Sequence, residues 1–148
     1  MEPLVSAITL GVRDIARSRQ FYVDGLGWKP LAEQEGEILF IQSAHGQILA
    51  LWDVASMRGE YGDVGYPAQG PAAPVSLGRN VAGPEEVDRL LAEGVAAGAE
   101  LVSAGRQQSW GGYSGCFADP DGFRWDIVFN PAFSVDDGGN VSLGMPSP

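Results

Sequence analysis

One cysteine and one histidine in 148 residues remove several chemistries at once. An intrachain disulfide is excluded, and a lone thiol fits a reducing compartment. No family-specific context surrounds Cys116 or His45, so neither a Cys-His set nor a Ser-His-Asp triad is legible. Cys116 stands one residue before Phe117 in an apolar strand and reads as a small packed core residue. His45, in Ser43-Ala44-His45-Gly46, reads as an exposed residue of the turn before a strand; a ligand or base role stays open because loops carry function. Bases are also scarce, nine Lys and Arg against nineteen Asp and Glu, for a net charge of −10. Such a surface repels phosphate backbones, which argues against a nucleic-acid partner; it attracts cations weakly and favours solubility. No apolar run reaches transmembrane length, and no basic-then-apolar stretch opens the chain. The expectation is a soluble, cytoplasmic protein with no membrane partner.

What the chain does have is a turn, Asp119-Pro120-Asp121-Gly122, feeding a segment whose positions 123, 125, 127 and 129 are Phe, Trp, Ile and Phe. Period-two alternation sends Arg124, Asp126 and Val128 to the opposite face. An acidic side chain is therefore aimed either at solvent or into a cavity.

The same plan is written twice. Ala7–Val12 alternates, leads through Arg13-Asp14 into a short helical run ending near Gly25-Leu26-Gly27, and the half returns to a last strand at Gln47–Asp53. Ser76–Val81 alternates, leads through Gly83-Pro84-Glu85-Glu86 into a helix with Val87, Leu90, Leu91 and Val95 on one face, and that half returns to Phe123–Phe129. Each half is a βαβββ module. The expected division is residues 1–53 for the first module, a Gly/Pro-rich linker over 54–74, the second module over 75–131, and a tail over 132–148. Tyr61 and Tyr66 raise the alternative that the linker is a lid; apolar residues flanking Asp136–Asn140 suggest a small hairpin or a clasp on a neighbour.

Ile8-Thr9-Leu10-Gly11-Val12-Arg13-Asp14, with Ser18, Phe21-Tyr22 and Gly25-Leu26-Gly27-Trp28, resembles the opening module of the glyoxalase, bleomycin-resistance and extradiol-dioxygenase superfamily, the vicinal oxygen chelate fold. Phe117-Ala118-Asp119-Pro120-Asp121-Gly122 and the strand after it resemble the closing module, so the likeness covers roughly residues 4–131. It implies an α+β fold in which two tandem modules form a curved, half-open mixed sheet around a cavity. It also implies pairing of modules, commonly in a homodimer. The fold hosts isomerases, thiol transferases, dioxygenases, epimerases and non-catalytic antibiotic binders, and so leaves the reaction undetermined.

Metal-dependent members of that superfamily carry ligands on the first and last strands of each module. The matching positions here are Ala7, Ala50, Ser76 and Asp126. Alanine has no donor atom, a neutral serine is a weak ligand, and one carboxylate does not hold a divalent ion, so no metal and no other cofactor is expected. Ile48, Ala50 and Trp52 share the face corresponding to Asp126, which points Trp52 into the cavity beside Asp126 and Ser76. Trp110, flanked by Ser109 and Gly111-Gly112, is an indole exposed on a loop or strand entrance. Trp125 reads as core, and Trp28 as core or interface. The expected ligand contacts are thus Trp52, Ser76, Trp110, Arg124 and Asp126, with an Arg124–Asp126 ion pair as the competing account of that strand. Two functions fit: a metal-independent binder of a small aromatic or cationic molecule, of the drug-sequestering bleomycin-resistance type, or an enzyme. The enzyme is either metal-free with Asp126 as general base, or a lyase- or dioxygenase-like metalloenzyme whose ligands lie elsewhere.

Overall fold

The first alternating segment forms the strand its pattern predicts, β1 (Ala7–Val12), with Leu10 and Val12 buried and Ala7 and Thr9 exposed. The computed structural model describes residues 5–64, 72–136, 138 and 141–143. The chain divides into two compact units, residues 1–71 and 72–148, each described by itself.

In the first unit, β1 is followed by a short helix α1 (Ile15–Arg19), which continues as a π-helical turn over Gln20–Gly25. Asp14 starts it: its side chain accepts from the Arg17 amide at 3.2 Å, while the Ser18 hydroxyl donates to the Asp14 carbonyl at 3.1 Å. That contact satisfies the fully buried Ser18 hydroxyl. Strands β2 (Pro30–Gln34), β3 (Ile38–Ala44) and β4 (Gln47–Asp53) complete a sheet of order β1-β4-β3-β2. The β1–β4 pair is parallel and the others antiparallel. Leu39, Ile41, Leu49 and Leu51 join Ile15, Phe21 and Tyr22 in the core, each burial contributing roughly 1.5–3 kcal/mol for a side chain of this size. His45 sits with Gly46 in the exposed β3–β4 turn. Trp28 is half-buried and leans on Tyr22.

The second unit repeats the order. Strand β5 (Ser76–Asn80) precedes α3 (Pro84–Ala97), then β6 (Glu100–Gln107), β7 (Tyr113–Ala118) and β8 (Arg124–Phe129), in a sheet of order β5-β8-β7-β6. Pro84 opens α3 and Gly98, at φ 111°, closes it, with the Gly98 and Ala99 amides donating back to Val95 and Gly94. Val87, Leu90 and Leu91 are buried as expected, but Val95 is 44% exposed. Gly94 takes the inward position instead, because a Cβ there would stand 2.9 Å from the Phe117 ring. The missing side chain lets α3 approach β7. Trp125, on the helix side as expected, is half-buried and stacks on Phe117. Two four-stranded mixed sheets with helices, neither closed, give the α+β class read from the sequence.

Residues 54–61, read as the start of a linker, are instead a helix, α2 (Val54–Tyr61). Asp53 caps it, accepting from the Ser56 amide at 2.9 Å and the Ser56 hydroxyl at 3.1 Å. Only Val54 and Met57 are buried, too few positions to print a helical period. Met57 covers Gly11, where a Cβ would meet its sulfur at 3.0 Å, and Tyr61 stands perpendicular to Trp52 at 5.7 Å. Tyr66 lies outside the described residues. The tail forms the suggested hairpin, β9 (Phe133–Val135) with β10 (Val141–Leu143), antiparallel. Among the described residues, no helix is long and apolar enough to cross a membrane.

Candidate functional site

The 119–122 turn fixes where Asp126 points. Asp119 is buried, and its Oδ1 accepts from the amides of Asp121 and Phe123, each at 2.9 Å. Its own amide donates to the Phe123 carbonyl at 3.0 Å, and the Gly122 amide donates to the Asp119 carbonyl at 2.9 Å. Gly122 takes φ 91°, which costs a side-chain-bearing residue more. With Phe123 driven inward at 9% exposure, alternation delivers Trp125 and Ile127 to α3 and Arg124, Asp126 and Val128 to the open face.

Register across the sheet places the neighbours. Asp126 lies between Gly78 on β5 and Cys116 on β7, with Ser103 of β6 beyond. Arg124 lies between Ser76 and Ala118, with Glu100 beyond. Val128 lies between Asn80 and Ser114, with Arg106 beyond, and Gln108 donates to the Ser114 hydroxyl at 3.0 Å. The face is polar and small-featured. Among the described residues, a Cβ built at Gly78 would meet nothing within 4 Å, so they leave the space flanking Asp126 on the β5 side open.

Cys116 belongs to this face, not to the core. Because Phe117 points at the helix, its predecessor points away, and the thiol is half-exposed beside Asp126. Burial pushes the thiol pKa up to about 11, helped by the charge of Asp126 and its hydrogen bond to the thiol, with Arg124 and the Trp125 backbone opposing. A thiol this protonated at neutral pH is a poor nucleophile. The folded chain holds the proton that the unfolded chain loses near pH 9, so the resulting stability is intact below pH 9 and is lost as pH rises towards 11. Native alkylation by iodoacetamide is expected to stay slow until pH approaches 11. Rapid labelling at pH 8 would contradict this placement.

The ion pair weighed for this strand does not form: among the described residues, neither Arg124 nor Asp126 is in a salt bridge. Ser76, Arg124 and Asp126 are thus brought together on one face. Trp110 lies in the β6–β7 turn, 52% exposed, its ring over Gly112, where a Cβ would fall 1.7 Å from it. Trp52 lies in the first unit, on the face carrying Thr9, Phe40 and Ala50, half-buried with Tyr61 against it. A charged cleft of about 800 Å³ also opens in that unit, lined by Arg13, Asp14, Arg19, Glu33, Glu35 and Asp53 among others. Arg19 is paired there with Glu33, and Asp14 and Asp53 are engaged as helix caps, so little is left to hold a ligand.

The donor set does not suit a metal. Ala7 and Ala50 present methyl groups, Ala50 is buried, and Ser76 lies opposite Arg124. Among the described residues, no group of three or more His, Cys, Asp or Glu side chains is placed to hold an ion.

The family model of the Glyoxalase/Bleomycin resistance protein/Dioxygenase superfamily matches residues 4–127. The chain belongs to this superfamily. A glyoxalase-related enzyme from Fulvimarina pelagi is 34% identical, with a TM-score of 0.85 over 97% of this chain and 100% of that one. A glyoxalase/bleomycin resistance protein/dioxygenase from Nocardioides is 24% identical, TM-score 0.67, over 87% and 84% of the two chains. A lactoylglutathione lyase from Agrobacterium tumefaciens is 19% identical, TM-score 0.63, over 87% and 95%, a likeness of fold alone. No curated protein matches the chain. Against the superfamily's two-module plan, the sequence reading missed Cys116 and Gly78 as parts of the Asp126 face. Strand parity was the available signal for both.

Proposed function

We propose that this superfamily member binds a small aromatic molecule bearing a cationic or hydrogen-bond-donating group, without a metal, in the manner of a sequestering protein. The observation that carries the reading is the Asp126 face: a carboxylate outside any salt bridge among the described residues, flanked by open space at Gly78, in a fold whose other ligand positions are Ala7, Ala50 and Ser76. Asp126 supplies a charge-assisted contact, with Ser76 and Arg124 as polar neighbours. Trp110, in the same unit as Asp126, is proposed as a stacking side chain, to be tested by indole fluorescence quenching. A thermal-shift screen of aromatic amines and antibiotics should return ligands that raise the melting temperature. Asp126→Asn should then weaken the best of them by about 1–3 kcal/mol in calorimetric titration, the worth of a hydrogen bond to a charged group, with little change in melting temperature. Equal affinities would remove Asp126 from the site.

The 34% identity to a glyoxalase-related enzyme favours a second reading, catalysis with Asp126 as general base. In that case Asp126→Asn abolishes turnover while sparing substrate binding, because an amide still hydrogen-bonds but takes up no proton near neutral pH.

A further inference from the structure

We infer that the ligand of the Asp126 face is amphoteric, carrying an anionic group for Arg124 and Ser76 as well as a cationic group for Asp126. This rests on the binding function proposed above and narrows its ligand class. Arg124 and Asp126 are two residues apart on one strand, so their Cα atoms are separated by about 7 Å along it. They project from the same face of β8, yet among the described residues neither is in a salt bridge.

The other charges on the face do not neutralise this pair. Glu100 shares the Arg124 row but lies two strands away, about 10 Å at ordinary strand spacing. Arg106 lies by register on the far row, two strands from Val128 and exposed. The Cys116 thiol stays protonated beside Asp126 and adds no charge. Ser76, opposite Arg124 on the edge strand β5, is an exposed hydroxyl placed to share an anion with the guanidinium. Gly78, opposite Asp126, leaves room for the rest of the molecule. A ligand with a cation alone would leave Arg124 beside its positive charge. An anion alone would face Asp126. A molecule with opposite charges at its two ends satisfies both, and guanidinium geometry suits a carboxylate or phosphate at the Arg124 end.

Three probes of one shape separate the cases: 4-(aminomethyl)benzoate, 4-methylbenzylamine and 4-methylbenzoate, titrated calorimetrically into the wild-type chain. The expected result is that the zwitterion binds at least about ten-fold more tightly than either singly charged analogue. Arg124→Gln should reduce its affinity to that of the amine, and Asp126→Asn to that of the benzoate, with circular dichroism confirming that both variants fold. If the amine binds the wild type as tightly as the zwitterion, and Asp126→Asn weakens both, the amphoteric assignment is overturned while the cation-binding function stands. If Asp126→Asn leaves all three affinities unchanged, both fall. Absence of zwitterion binding at millimolar concentration also overturns the assignment, and that comparison needs no variant.

Discussion

Asp119→Ala is expected to destabilise the protein more than any change on the Asp126 face, although Asp119 is offered for no ligand contact. Its Oδ1 is the acceptor for two amides, those of Asp121 and Phe123, inside a turn where Asp119 and Asp121 are 4% and 2% exposed. Alanine removes the acceptor and leaves both donors buried, at roughly 1–3 kcal/mol for each donor left unsatisfied. Water does not readily replace it, because Phe123 closes the turn against the core. Asp119→Asn keeps an acceptor oxygen and should recover much of the loss. Urea unfolding of the three chains checks this, and an Asp119→Ala midpoint equal to wild type would show that the turn does not depend on the carboxylate. Because this turn sets the parity of β8, the same variant should also weaken any ligand that Asp126 holds.

Gly78→Val is expected to do the reverse, weakening binding while leaving the fold intact. Gly78 is an ordinary β5 strand position opposite Asp126, and a Cβ there meets no atom of the described residues within 4 Å. Valine suits a strand better than glycine, so stability should hold or rise slightly. Its side chain would project beside that of Asp126, one strand spacing of about 4.8 Å away, and occupy the space proposed for ligand. Affinity should fall by at least about ten-fold, or roughly 1.4 kcal/mol. Gly115 provides the contrast within the same sheet: a Cβ there would lie 2.5 Å from Leu91 and 2.8 Å from the Ser103 carbonyl, so valine at that position should unfold the chain. Undiminished affinity in Gly78→Val would place the ligand elsewhere.

Much of this fold is readable in the chain because its signals are local. Alternation alone locates β1 and β8 to within a residue, and the Asp119–Gly122 turn announces the parity that puts Asp126 opposite Trp125. Three features escaped for physical reasons. Helix α2 rests on an aspartate cap and two buried side chains, a tertiary fit over Gly11 with no periodic trace. Val95 and Gly94 exchange roles because closeness to Phe117, not hydrophobicity, decides which faces inward. Cys116 looks like core when its neighbours are counted, and becomes part of the site only once register sets it against Asp126. The absence of an Arg124–Asp126 salt bridge is likewise a matter of rotamers, which strand periodicity does not fix.

The central claim, that the Asp126 face binds its ligand without a metal, is tested most directly by elemental analysis of untagged protein purified without chelator, paired with calorimetric titration of the best ligand with and without EDTA. The account predicts far less than one equivalent of Zn, Ni, Mn or Fe per chain and an affinity indifferent to EDTA, because Ala7, Ala50 and Ser76 offer no adequate donors. Close to one bound ion per chain, with binding lost on chelation, would contradict it.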